Sequence, residues 1–172
     1  MISQPLKLAG HLAIFSLVNA DCVLHTTLKE QVTKPEKRPE LCQAMGPDSW
    51  TFAMQISAVS VPTFDGDNPF AGYTGTKSFI VYDNNCIAKG VYSPDNEDND
   101  CGIPYWINDI GMPYDIKISQ VNMALGAGDF TIGYANGDYM IGENGATCQD
   151  ISKGLRAVTA CHTAFPINGE PK

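Results

Sequence analysis

Six cysteines, Cys22, Cys42, Cys86, Cys101, Cys148 and Cys161, constrain the fold of this chain more than any other feature. An even number spread through 172 residues reads as three disulfides, which persist only in an oxidising compartment. The residues ahead of them point to such a compartment. Lys7 precedes an apolar stretch from Leu8 to Val18, interrupted by His11, and Val18-Asn19-Ala20 offers the modest side chains that a signal peptidase reads. Residues 1–20 therefore read as a cleaved signal peptide. The stretch is too short to cross a bilayer, and no later apolar run reaches spanning length. The expectation is a secreted, extracellular protein with no membrane span.

Six cysteines admit fifteen pairings, and sequence alone does not choose among them. Closing each neighbouring pair costs the least chain entropy, which favours Cys22–Cys42, Cys86–Cys101 and Cys148–Cys161. A metal reading finds no support, because no C-x-x-C occurs and only His25 and His162 follow the leader. No metal and no cofactor is expected. The 11 basic against 19 acidic residues give a net charge of -8, which repels phosphate backbones and makes nucleic acid an unsuitable partner.

Residues 21–49 are polar and mixed in charge, with Lys34-Pro35, Arg38-Pro39 and Gly46-Pro47 interrupting any helix or central strand. They read as a solvated arm, and Pro39 makes cleavage after Lys37-Arg38 awkward for a protease. The pattern then changes, and residues 50–172 read as the β-rich domain. Phe52, Met54, Ile56 and Ala58 alternate with polar neighbours, giving a half-buried strand that ends near Val61-Pro62. Ser78 to Tyr82 and Ile87 to Tyr92 flank Asp83-Asn84-Asn85 as a hairpin. Tyr114 to Val121 alternates cleanly. Asn136-Gly137 joins Phe130–Tyr134 to Tyr139–Ile141, since Asn-Gly suits the two positive φ angles of a tight turn. Leu155 to Phe165 supplies the last strand, and Asp150 to Gly154 reads as a short helical turn stopped by glycine. The expected fold class is all-β, an antiparallel β-sandwich or barrel stapled by disulfides with little helix.

Candidate sites lie in the connections. The loop from Asp65 to Tyr73 contains Asp65, Asp67, Phe70 and Tyr73, and the stretch from Asp95 to Asp100 contains Asp95, Glu97, Asp98 and Asp100. Oxygen-rich runs of this kind can hold calcium. However, aligning Gly102 with the glycine of an EF-hand loop puts Cys101 at a ligand position, so a solvated loop is the better reading. Tyr105, Trp106 and Asp109 form a third group, in which a flat aromatic beside polar residues could stack on sugar or anchor a protein contact.

Catalysis has no recognisable constellation. There is no G-x-S-x-G elbow, both histidines lie close to cysteines, and Glu97, Glu143 and Glu170 are not singled out as a facing pair. The chain is therefore expected not to be an enzyme, a secreted hydrolase being the less favoured alternative.

The leader, the acidic β-rich composition, Cys86-x14-Cys101-Gly102 and the second close pair Cys148 and Cys161 together resemble small secreted ascomycete proteins. The nearest named group is the Alt a 1-like allergen and effector family, with the resemblance covering mainly residues 78–165. It implies a compact β-barrel or sandwich, extracellular release, and virulence-related action on a host by binding a host protein or a small ligand. A rigid sheet presenting surface loops suits that role, and a carbohydrate- or small-ligand-binding module is the alternative.

Overall fold

The computed structural model describes residues 22–62, 70–95, 102–143 and 145–169, of which residues 60–62 and 70–74 are described by their backbone alone. Among these residues, ten strands form two sheets. The first contains β1 (Cys22–Val23), β5 (Tyr105–Ile107), β6 (Ile116–Asn122), β7 (Asp129–Tyr134) and β8 (Gly137–Met140), in the order β1-β5-β6-β7-β8. The second contains β2 (Ser49–Pro62), β3 (Phe70–Tyr82), β4 (Ala88–Tyr92), β9 (Thr147–Asp150) and β10 (Arg156–Pro166), in the order β4-β3-β2-β10-β9. All neighbours are antiparallel except β1 and β5. The fold is all-β, as the alternation predicts. Among the described residues there is no helix, and so none long and apolar enough to cross a membrane.

Alternation dictates what the sheets bury between them. Ile116 and Ile118, Phe130, Ile132 and Tyr134 point inward from the first sheet, to meet Phe52, Met54, Phe79, Val81 and Phe165 from the second. Aromatic pairs span the interface, with ring centroids 5.0 Å apart for Phe52 and Phe130 and 4.6 Å for Tyr134 and Phe165. Each such side chain contributes roughly 1.5–3 kcal/mol by leaving water.

The turns differ in detail from the sequence reading. Tyr134 pairs with Gly137, so the two-residue turn is Ala135-Asn136, one position earlier than Asn136-Gly137, and Ala135 carries the positive φ of 52°. In this register Tyr139 pairs with Ile132, faces inward, and folds its ring back over Gly137, where a Cβ would lie 2.8 Å from the Tyr139 hydroxyl. The expected helical turn at Asp150 to Gly154 is instead the tip of the β9–β10 hairpin. Lys153 and Arg156 exchange backbone hydrogen bonds of 2.9 and 3.1 Å around Gly154-Leu155, and Gly154 has φ of 60°. The same left-handed capacity that ends a helix serves the first position of a tight hairpin loop.

Residues 22–48 are largely exposed, as a solvated arm would be, but they are anchored to both sheets at particular points. β1 adds to the first sheet, and Leu24 is fully buried in the main core. The chain then crosses to the outer face of the second sheet, where the Thr27 amide donates to the Val91 carbonyl at 2.7 Å and the Glu36 amide to that of Cys86 at 2.8 Å. Leu41 is fully buried there, in a second apolar cluster with Ala53, Ile80, Tyr82 and Ala160. The second sheet is thus covered on both faces over part of its area, which explains why Phe52-Ala53-Met54 is buried without interruption.

This path also corrects the disulfides. Cys42 bonds Cys86, not Cys22, and so Cys86 is not the partner of Cys101. Laying residues 24–48 across the β3–β4 hairpin brings Cys42 and Cys86 to a Cα separation of 5.7 Å, and this proximity outweighs the smaller entropy cost of shorter loops. Cys148–Cys161 forms as expected, its two residues directly opposite across β9 and β10. Cys22 is also disulfide-bonded, and Cys101 lies outside the described residues.

Candidate functional site

The outer face of the first sheet carries a solvent-facing row built by strand register. Trp106 pairs with Lys117, Lys117 with Gly133, and Gly133 with Asp138, so these four residues from β5, β6, β7 and β8 lie in line. Their strand neighbours Tyr105, Ile107, Ile116, Ile118, Ile132 and Tyr139 are buried, which turns the row outward. Gly133 contributes no side chain, leaving a groove of about 310 Å³ flanked by Trp106 and Lys117 on one side and Asn136 and Asp138 on the other, with Asp115 at its end.

The indole of Trp106 is partly exposed. The Lys117 ammonium sits 5.5 Å from its ring centroid, a cation–π arrangement worth about 0.5–1 kcal/mol near a surface. The indole Nε1 is shielded from solvent and has no hydrogen-bond partner among the described residues. Leaving a buried donor unsatisfied costs about 1–3 kcal/mol. The groove therefore combines an aromatic edge with two carboxylates, an amide and an ammonium.

Other candidates divide. Tyr105 is 8% exposed and packs on Phe79 with centroids 6.0 Å apart; burial, and then the charge of Asp95, raises its hydroxyl pKa. Asp95 is exposed and paired with Lys77 at 3.2 Å. Asp109 accepts the Tyr92 hydroxyl at 2.5 Å and the Thr26 amide at 3.1 Å, clipping the N-terminal segment to the sandwich. Burial, together with that bond to Asp109, pushes the Tyr92 hydroxyl far above the ordinary phenol range. Phe70 and Tyr73 stand opposite Pro62 and Ser60 in the β2–β3 register. Asp65, Asp67, Glu97, Asp98 and Asp100 lie outside the described residues.

Two further groups singled out by sequence have structural work. His162 is nearly buried, with Nδ1 3.0 Å from the Glu40 carbonyl, tying the crossing segment to β10. Arg38 donates to both Glu36 carboxylate oxygens, at 2.9 and 2.8 Å, and to Gln55 at 3.3 Å. Hydrogen bonding from the Arg38 guanidinium, opposed by partial burial, lowers the Glu36 pKa to about 2.

Sequence reasoning reached Trp106 and missed Lys117, Gly133, Asn136 and Asp138. The polar positions of the alternating strand after Tyr114 marked Lys117 as outward-facing, but the partner across each strand is set by register. Among the described residues, no group of three or more His, Cys, Asp or Glu side chains is placed to hold a metal ion. Comparison of the chain with family models, with curated proteins and with solved structures finds no match.

Proposed function

We propose that this is a secreted, effector-like binding protein without catalytic activity of its own, and that the Trp106 groove is its ligand site, taking a carbohydrate. The observation that carries the reading is the row Trp106, Lys117, Gly133, Asp138, in which a missing side chain opens a groove beside an aromatic ring. A sugar presents an apolar C–H face to an indole and hydroxyls to carboxylates and amides, which Asp115, Asp138 and Asn136 supply here. Lys117 then exchanges its contact with the ring for a sugar hydroxyl. The disulfides favour an extracellular setting, and action on a host by small-ligand binding follows the resemblance noted in the sequence. The groove is preferred to the loop acids because Asp95 and Asp109 already have partners within the chain.

Trp50 and Trp106 are the two tryptophans, so a Trp50→Phe background leaves Trp106 as the sole indole reporter. Titration with a panel of neutral oligosaccharides is expected to shift its fluorescence, and calorimetry is expected to lose the binding with Trp106→Ala and to weaken it about tenfold with Asp138→Ala. No binding across the panel, or binding that survives Trp106→Ala, refutes the reading.

A further inference from the structure

The outer face of the second sheet carries a second, chemically different groove of about 480 Å³, between the crossing segment and the tip of the β9–β10 hairpin. Register assembles it. Ile151 stands opposite Val158, its amide donating to the Val158 carbonyl at 2.8 Å, and Lys153 stands opposite Arg156. Alternation puts all four side chains on one face, and Arg156 pairs across β2 with Val59. Arg38 and Glu40 form the opposing wall.

Three features of this patch are unexplained by folding. Lys153 and Arg156 are like charges directly opposed across a hairpin, an arrangement that destabilises a sheet. Neither makes an ion pair among the described residues, although the chain carries an excess of eight negative charges. Beside them Val59 and Leu155 are 42% and 55% exposed, large apolar side chains left in water next to the cations. An exposed apolar patch rimmed by charged groups marks an interaction site.

We propose that this face docks an acidic peptide segment of a partner protein, its carboxylates meeting Lys153 and Arg156 and its aliphatic side chains covering Val59 and Leu155. Charge complementarity selects the occupant. Arg38 is already neutralised by Glu36, so the hairpin cations carry the attraction, and Glu40 repels acid from the far wall and fixes the direction of the peptide. The exposed apolar side chains favour a peptide over an inorganic anion, which has nothing to bury against Val59 and Leu155.

The test uses the full disulfide-bonded protein and a fluorescein-labelled peptide of alternating glutamate and leucine, read by anisotropy. Micromolar binding is expected, weakened at least tenfold by Arg156→Glu, by Lys153→Glu and by Leu155→Ser, and left within twofold by Lys29→Glu, which makes the same charge change elsewhere on the surface. Arg156→Glu converts the opposed like charges into an attractive pair, so its melting temperature is expected to hold or rise while binding is lost, which separates docking from folding. Equal weakening by Lys29→Glu, no binding at millimolar peptide, or binding of inorganic phosphate or a sulfated glycan in place of the peptide each overturns the proposal.

Discussion

Truncating Leu41 tests whether residues 22–48 belong to the fold. Its side chain has no exposure and rests on Ala53, Ile80, Tyr82, Cys86 and Ala160, on the outer face of the second sheet. Leu41→Ala removes three carbon atoms from that contact, and buried leucine truncations cost about 2–5 kcal/mol through lost transfer energy and residual cavity. A segment lying on a sheet can settle inward more readily than a strand within it, which places the expected loss near 3 kcal/mol. Against a domain stability of about 5–15 kcal/mol this is a large fraction. With a urea dependence near 2 kcal/mol per molar, the unfolding midpoint falls by about 1.5 M at unchanged slope. The control is Leu155→Ala, at 55% exposure, where the change stays within about 0.5 kcal/mol. If Leu41→Ala shifts the midpoint no more than Leu155→Ala does, the segment is a loosely held arm and the two-faced burial of the second sheet is wrong.

Two further outcomes follow from the bridges and the charges. Sequence separations of 44 and 13 residues give, from loop closure alone, about 4 kcal/mol for Cys42–Cys86 and about 3 kcal/mol for Cys148–Cys161. Paired Cys→Ala variants compared in urea should keep that order, and peptide mapping of the native protein should join Cys22 to Cys101, the two cysteines that remain. Reversal of the order would show that strain or residual unfolded structure outweighs chain entropy. Because the Glu36 carboxyl is held near pKa 2, below its ordinary value of 4.5, the stability from its pair with Arg38 is fully present above about pH 4.5 and is lost as pH falls toward 2. Partial exposure limits this to about 1 kcal/mol. The stability gap between wild type and Glu36→Gln should close over that range, and a gap independent of pH would refute the assignment.

Strands were legible wherever one face meets the core and the other meets water. Ile116, Lys117 and Ile118 run buried, exposed, buried, and that alternation is written in the sequence. Trp106 was legible only as an aromatic beside polar Asn108 and Asp109, because a large ring in a β domain is more often buried in the core. Its groove was not, because Lys117, Gly133 and Asp138 come to it from strands whose register depends on the whole sheet. The same dependence moved the β7–β8 turn by one residue: the preference of Asn-Gly for a tight turn is local, whereas the pairing of β7 with β8 is set across the whole sheet.

The N-terminal segment failed for a different reason. Its burial rests on single anchors, Leu24 and Leu41, set seventeen positions apart in polar sequence, so no periodicity announces them. The signal lay instead in the strands beneath. Ala53 is buried between Phe52 and Met54, and β10 is buried continuously from Val158 to Thr163, where a sheet open to water on one face would alternate. Such runs require a second cover, and with only a short helical turn in the reading, residues 21–49 were the longest segment left to provide it. The cover stops short of the β9–β10 hairpin tip, where Val59 and Leu155 become exposed and Lys153 faces Arg156. The uncovered end of an otherwise two-faced sheet is thus where apolar and cationic side chains meet solvent together, the condition under which a partner gains most by completing the cover.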